Sequence, residues 1–212
     1  MRADLPKREP QMLAFWSKIR VYEKMCANRR GKKKFVLHDG PPYANGHIHM
    51  GHALNKILKD MIVKFNTLNG HYAPYVPGWD CHGLPIEHQL MKDLKKDKHT
   101  VDRMEFRKKA AEFARSFVEI QKKEFERLGI FGDWEHPYLT LTPDYEMAIV
   151  RAFRELLRDG YIYRSQKPVL WCARCETALA EAEVEYEEKQ SPAVFVKFKA
   201  KEVSGLNLPN LY

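Results

Sequence analysis

The sequence predicts an α/β fold, and three observations carry that reading. A short apolar run, Phe35-Val36-Leu37, has the length and composition of a buried strand, and Asp39-Gly40-Pro41-Pro42 breaks it. A long helical pattern follows, with Ala53, Leu54, Ile57, Leu58, Met61, Ile62 and Phe65 on one face and Lys56, Lys59, Asp60 and Lys64 on the other. Asn69-Gly70 then stops the helix, and His71 to Val76 reads as a second strand that Pro74 weakens or places near an edge. Strand, loop, helix, strand is a βαβ unit, which is almost always right-handed and parallel.

The remaining elements follow in order. Residues 11–28 predict one amphipathic helix, because Met12, Phe15, Trp16, Ile19, Tyr22 and Cys26 recur at helical spacing. Cys26 on that stripe reads as a small buried hydrophobe. Residues 102–128 predict a second long helix with Phe106, Ala110, Phe113, Phe117, Ile120 and Leu128 on its core side and Gly129 as its stop. Thr142-Pro143-Asp144 has the chemistry of an N-cap and first turn. Ile149, Val150, Phe153, Leu156 and Leu157 give that helix its core face, and Gly160 ends it. Beyond it the character changes: Tyr161 to Tyr163, Val169 to Trp171 and Ala193 to Phe198 read as short strands. A domain boundary is placed at 166/167, with 1–166 as one domain and 167–212 as the start of a second.

Composition bounds the function. The chain has 212 residues, 44% hydrophobic and 30% charged, which fits a globular domain rather than a disordered segment. No apolar run is long enough to span a membrane, and MRADLPKREP lacks the apolar core of a signal peptide. A cytoplasmic protein is therefore expected. Four cysteines do not make a disulfide scaffold. The net charge of +8 fits a polyanionic partner such as tRNA. Lysines at 32–34, and Lys92, Lys95, Lys96 and Lys98 among Asp93 and Asp97, also fit solvated surfaces.

Three segments carry chemistry. GPPYANGHIHMGH at 40–52 lies between a strand and a helix. His49 and His52 share a face at the first helical turn, where free N–H groups favour phosphate, and Gly51 between them leaves the backbone open to a flat base. Surface histidines or a metal pair are the competing readings, although no third metal ligand lies nearby. GWDCHGLPIE at 78–87 follows the second strand, so Asp80 can meet a cationic substrate group or simply close an Asx turn. Cys81-His82 is a weak nucleophile motif, because sequence neighbours rarely have the geometry of a nucleophile and its base. Cys172-Ala173-Arg174-Cys175 is half of a tetrahedral zinc site, a redox pair or two plain thiols.

Together these segments resemble the class I aminoacyl-tRNA synthetases. His49-Met50-Gly51-His52 is similar to the H-I-G-H signature. GPPYANGHIHMGHALNK at 40–56, GWDCHGLPIE at 78–87 and LWCARCETALAEAEVEY at 170–186 resemble the isoleucyl group more than the leucyl or valyl ones. The resemblance implies the N-terminal part of a Rossmann-like catalytic domain, followed by the start of a β-rich zinc-ribbon and editing insertion. It implies that His49 and His52 contact ATP phosphates in the transition state and that Gly51 lies against adenine. It further implies that Gly40 and Pro41 line the isoleucine pocket, that Asp80 holds the α-ammonium group, and that Cys172 and Cys175 supply half a zinc site. The implied reaction joins isoleucine to ATP, with Mg²⁺, and passes the acyl group to tRNA(Ile). The implied parent is a monomer off the membrane.

The chain also departs from that pattern. It lacks a counterpart of the K-M-S-K-S loop, a partner C-x-x-C, the rest of the editing domain and the anticodon-binding domain. A fragment with little activity of its own is therefore expected, with Ser191 to Phe198 as the opening strand of the editing insertion. A non-catalytic paralogue that binds nucleotide or tRNA, a small nucleotidyltransferase, a zinc-knuckle module and a valyl enzyme are the competing readings.

Overall fold

The computed structural model describes residues 4–94 and 101–197, so Lys95, Lys96, Asp97, Lys98 and Phe198 lie outside the described residues. The chain divides into two compact units, Met1–Ile162 and Tyr163–Tyr212.

The first unit opens with two helices where one was expected. Helix α1 (Leu5–Ile19) and helix α2 (Val21–Ala27) are separated by Arg20, whose φ of 52° is left-handed. The Arg20 amide closes α1 onto the carbonyls of Trp16 and Ser17. Cys26 is half-buried rather than part of the core. Helix α3 (Met50–Leu68) follows the glycine- and proline-rich loop, as expected. Helix α4 (Leu84–Leu94) occupies a stretch read only as a motif, with Pro85 in its first turn. In a first turn proline costs no hydrogen bond. Helix α5 (Arg103–Arg127) starts at Asp102, whose carboxylate accepts the Glu105 amide at 2.8 Å. Helix α6 (Pro143–Arg158) starts at Thr142, as its sequence indicates.

The pairing is parallel but sparse. Strand β1 (Gly78–Trp79) pairs with strand β2 (Tyr138–Leu139), and single parallel bridges join Lys34 to Tyr72 and Tyr43 to Asp80. The expected strands at 35–37 and 71–76 thus meet through one bridge, with Phe35 donating to the Tyr72 carbonyl at 2.9 Å. Pro41, Pro42, Pro74 and Pro77 remove the donors a longer ladder would need.

Burial corrects three faces. On α3 the buried residues are Lys56, Asp60, Val63 and Thr67, whereas Leu54, Leu58, Met61, Ile62 and Phe65 are exposed. The polar stripe turns inward because it finds partners there. Asp60 accepts the Phe131 amide at 2.9 Å, and Lys64 donates to the Gly129 carbonyl at 3.1 Å. On α5 the buried stripe is Ala114, Val118, Gln121 and Phe125, with Ala110, Phe113 and Phe117 packed at its margin. On α6 the apolar residues Ile149, Val150, Phe153, Leu156 and Leu157 are all exposed. The core gathers Trp79, Cys81, Ile86, Phe125, Ile130 and Trp134 beneath β1, with the Phe125 and Trp134 rings stacked 6.2 Å apart.

The second unit is a small hairpin. Strand β3 (Trp171–Cys172) pairs antiparallel with strand β4 (Thr177–Ala178), and a single 3₁₀ turn follows at Glu181–Glu183. Residues 161–163, 169–170 and 193–197 form no strand, contrary to expectation. Nearly all of this unit's described side chains are exposed, so alternation there reflects no buried face. Among the described residues no helix is long and apolar enough to cross a membrane.

Candidate active site at the start of helix α3

The loop from Asp39 to His49 is the centre of the site. Asp39 is fully buried and receives Lys56, Lys59 at 2.8 Å and the Gly78 amide at 3.0 Å. The Tyr138 hydroxyl donates to the Asp39 carbonyl, and the Tyr75 hydroxyl accepts from Lys56 at 3.3 Å. Burial alone would push the Asp39 carboxyl up. The Lys56 charge and the bonds from Lys56, Lys59 and Gly78 outweigh it and hold the carboxyl below its ordinary value. Gly78 is required here: a Cβ would stand 2.0 Å from the Tyr138 ring. Lys59 also donates to the Gly40 carbonyl at 3.2 Å, so α3 holds the start of the loop directly.

At the other end of the loop the two histidines cap the helix. His49 is the N-cap, and its Nδ1 accepts the Gly51 amide at 3.1 Å. His52 Nδ1 accepts the His49 amide at 3.2 Å, and the two rings lie 3.9 Å apart. Because each Nδ1 accepts a backbone N–H, each neutral ring carries its proton on Nε2. Both histidines therefore present an Nε2–H donor. Burial first, then the charges of His49 and Lys56, hold His52 below the ordinary imidazole value, which keeps it neutral. A Cβ on Gly51 would meet His49 Cε1 at 2.9 Å, so only glycine lets that ring fold back over the helix start.

These groups border an open pocket of about 250 Å³ lined by Gly40, Pro42, His49, Gly51, His52, Asn55 and Lys56. Four of the residues singled out by sequence, Gly40, His49, Gly51 and His52, thus share one wall. Pro41 is half-buried beside it without lining it. Asp80 is joined to the loop through the backbone: its amide donates to the Pro42 carbonyl at 2.9 Å, and its carbonyl accepts the Ala44 amide at 3.0 Å. Its carboxylate does close an Asx turn on His82, at 3.3 Å, and takes the Thr140 hydroxyl at 3.4 Å. Cys81 is buried, with its thiol pushed up to about 11 by burial and then by the Asp80 charge. His82 Nε2 faces the Thr140 carbonyl at 3.1 Å and Glu146 at 3.4 Å, so Cys81-His82 forms no nucleophile pair.

Sequence reading missed Lys56 and Asn55 as wall residues. The available signal was spacing, since Lys56 lies one turn beyond His52 on the same helix face. It also missed α5 as a support. Glu124 accepts the Ile48 amide at 2.9 Å and lies 2.5 Å from His47 Nδ1.

In the second unit Cys172 and Cys175 flank a tight turn. The Cys175 amide donates to Cys172 Sγ at 3.3 Å, and the Cys172 carbonyl takes the Glu176 amide at 2.7 Å. Bonds from the Cys175 and Arg174 amides lower the Cys172 thiol below its ordinary value. Among the described residues, no group of three or more His, Cys, Asp or Glu side chains is placed to hold a metal.

Comparison with known proteins identifies the family. The chain is 57% identical over 209 residues to the isoleucine–tRNA ligase of Moorella thermoacetica, covering 99% of this chain and 22% of that protein. It is 55% identical to the corresponding ligases of Caldicellulosiruptor bescii and Thermotoga petrophila, covering 99% and 95% of this chain and 23% and 22% of theirs. It thus spans about a fifth of the length of these relatives. Among solved structures, the LeuRS–tRNA–LeuAMS ternary complex of Agrobacterium radiobacter K84 superposes with a TM-score of 0.65 at 25% identity, covering 85% of this chain and 21% of that one. The model of the tRNA synthetases class I (I, L, M and V) matches residues 11–203. With its strand–loop–helix site and its high identity to isoleucyl members over most of its length, the chain belongs to the class I tRNA synthetase family.

Proposed function

We propose that this chain supplies the N-terminal part of an active site that activates isoleucine with ATP and transfers it to tRNA(Ile). The observation that carries the reading is the pair of Nε2–H donors fixed at the start of α3, opening on a cavity lined by the glycine- and proline-rich loop. Isoleucine carboxylate attacks the α-phosphate of ATP and pyrophosphate leaves; a hydroxyl of the terminal adenosine of tRNA then takes the acyl group and AMP leaves. Mg²⁺ bound to ATP would supply further charge neutralisation on the phosphates. No protein nucleophile is needed, which suits a site whose nearby thiol is buried and protonated. His49 and His52 stabilise the phosphate charge that develops in the transition state, aided by the helix dipole and Lys56. Gly51 lies against adenine, Gly40 and Pro41 shape the side-chain pocket, and Asp80 receives the α-ammonium group. The reading places the activity in the cytoplasm, in protein synthesis, on a monomer.

Cys172 and Cys175 fit half of a zinc site. Their turn already aims an amide at one sulfur and favours its thiolate, which is the form a metal takes. Bound there, Zn²⁺ would act as a structural cross-link.

The test is amino-acid-dependent exchange of pyrophosphate into ATP by a polypeptide carrying these residues at the full length of the relatives. Isoleucine should drive exchange and valine should drive it more weakly. One methylene is worth about 1–3 kcal/mol, a magnitude established with this enzyme class itself. Asp80→Ala should weaken isoleucine binding and spare ATP. Exchange driven equally by unrelated amino acids, or by none, sinks the reading.

A further inference from the structure

Helix α5 contributes a fully buried amide that the activity above leaves unassigned. Gln121 is 0% exposed. Its Nε2 donates to the carbonyls of Tyr43 at 3.0 Å and Gly46 at 2.6 Å, and its Oε1 accepts the Trp79 indole N–H at 2.9 Å. The orientation of the amide is fixed chemically, since an indole only donates and a carbonyl only accepts. These partners belong to the two segments that matter most. Tyr43 and Gly46 lie in the loop that delivers His49, and Trp79 immediately precedes Asp80. One side chain therefore joins the histidine loop to the Asp80 segment, from 75 and 78 residues away in sequence from its loop partners.

We propose that Gln121 is a positioning residue that sets the separation between the histidine donors at the start of α3 and the carboxylate of Asp80. The proposal rests on the reading of the site given above. The two segments also touch directly, through the Ala44 and Asp80 backbone bonds. That bridge, between Tyr43 and Asp80, fixes their register at one point. Gln121 adds a contact at the bridge residue itself and a second at Gly46, three residues nearer His49, and anchors both to the Trp79 indole. Glu124, one turn along α5, continues the line by holding the Ile48 amide. An apolar side chain of similar volume would fill the same space but leave a buried indole N–H and two part-buried carbonyls without this partner. Complementary geometry at this position, and not volume, is what Gln121 provides. Its consequence falls on the step in which both substrates must be aligned.

The experiment compares Gln121→Glu and Gln121→Met with the unmodified protein at the full length of the relatives. Pyrophosphate exchange is measured with isoleucine and ATP varied separately and rates normalised to titrated active sites. Amide hydrogen exchange is followed in parallel. Gln121→Glu keeps the acceptor for Trp79 but loses both donors, so it decides the matter if Gln121→Met does not fold. The expected result is a loss of about 100-fold in kcat per active site, the cost of a misplacement near 1 Å. Neither KM should rise comparably, because each motif remains intact by itself. Protection of the Ala44 and Ile48 amides should fall about tenfold, the equivalent of one net hydrogen bond, while Ala114 and Val118 in α5 stay protected. Unchanged kcat per active site, or equal loss of protection at all four amides, would show a purely structural role and overturn the proposal. If the unmodified protein shows no isoleucine-dependent exchange, the reading of the site has failed. The amide data then decide the clamp alone, and unchanged protection at Ala44 and Ile48 in Gln121→Glu refutes it.

Discussion

The start of α3 and the cysteine hairpin solve the same local problem in opposite surroundings. Each uses a nearby backbone amide to prepare a side chain for a ligand: Gly51 N–H on His49, and Cys175 N–H on Cys172. Around the histidines the supports are buried and come from far along the chain, including Asp39 at 0% exposure, Lys56 at 2% and Gln121 at 0%. Around the cysteines there are two paired positions on each strand, and most neighbours are exposed. The histidine geometry is thus a product of tertiary structure, whereas the cysteine turn is largely made by its own residues. Distant substitutions should damage the first and leave the second untouched.

The sharpest way to break this contrast is Asp39→Ala. It leaves Lys56 buried without its anion and frees Gly78 and Lys59 from their common partner. Loss of one member of a buried pair costs about 3–5 kcal/mol, read as a shift in urea unfolding of the first unit. A shift no larger than that of an exposed substitution would mean that water replaces the carboxylate, and that the supports are softer than their burial indicates. Next in size are His49→Ala and His52→Ala. Each removes one donor aimed at developing phosphate charge, and each should lower the adenylation rate of the full-length polypeptide by about 10²–10³-fold. Isoleucine affinity should change far less. Reduced affinity with normal turnover would take the histidines out of the transition state.

What the sequence revealed follows the same division. Local chemistry was legible: the helix start at Thr142 and the C-x-x-C turn act within a few residues. Periodicity showed that α3 has two faces but did not say which one is buried. The lysine stripe reads as solvated until Asp39 and the Gly129–Phe131 segment are brought against it. Gln121 was hidden for a related reason, since its partners lie in the loop and in β1 and no local pattern marks them. The prolines that shorten the parallel pairing are visible in the sequence, and Pro74 already marks the second strand as weak.

A smaller effect sharpens the comparison through pH. His52 titrates below the ordinary imidazole value of 6.5. The unfolded chain therefore takes up a proton at this residue before the folded chain does, so the unfolded state gains as pH falls. The contribution is complete above about 6.5 and is lost as the pH drops through the folded value. Protonation also removes the acceptor for the His49 amide, so the cap loosens as the charge appears. Comparing urea midpoints at about pH 7.5 and about pH 5.5 should show a steeper acid loss in the unmodified chain than in His52→Gln. Equal losses would assign the acid sensitivity to other groups.

The smallest effect on the first unit, and the clearest contrast, comes from Cys172→Ser and Cys175→Ser. Both positions lie in the second unit, where the turn is closed by the Glu176 amide as well as by the sulfur. Unfolding of the first unit should move by no more than about 0.5 kcal/mol, the range of surface substitutions remote from buried features. On the reading of these cysteines as half a zinc site, the same variants in a polypeptide of the relatives' full length should abolish Zn²⁺ uptake, measured by competition against a chromogenic chelator. Metal binding should release protons to the extent that the thiols are protonated beforehand, and the amide bonds to Cys172 reduce that extent. A large destabilisation of the first unit by either serine would mean that the hairpin supports the histidine site, and the division between a locally made turn and a distantly supported one would fall.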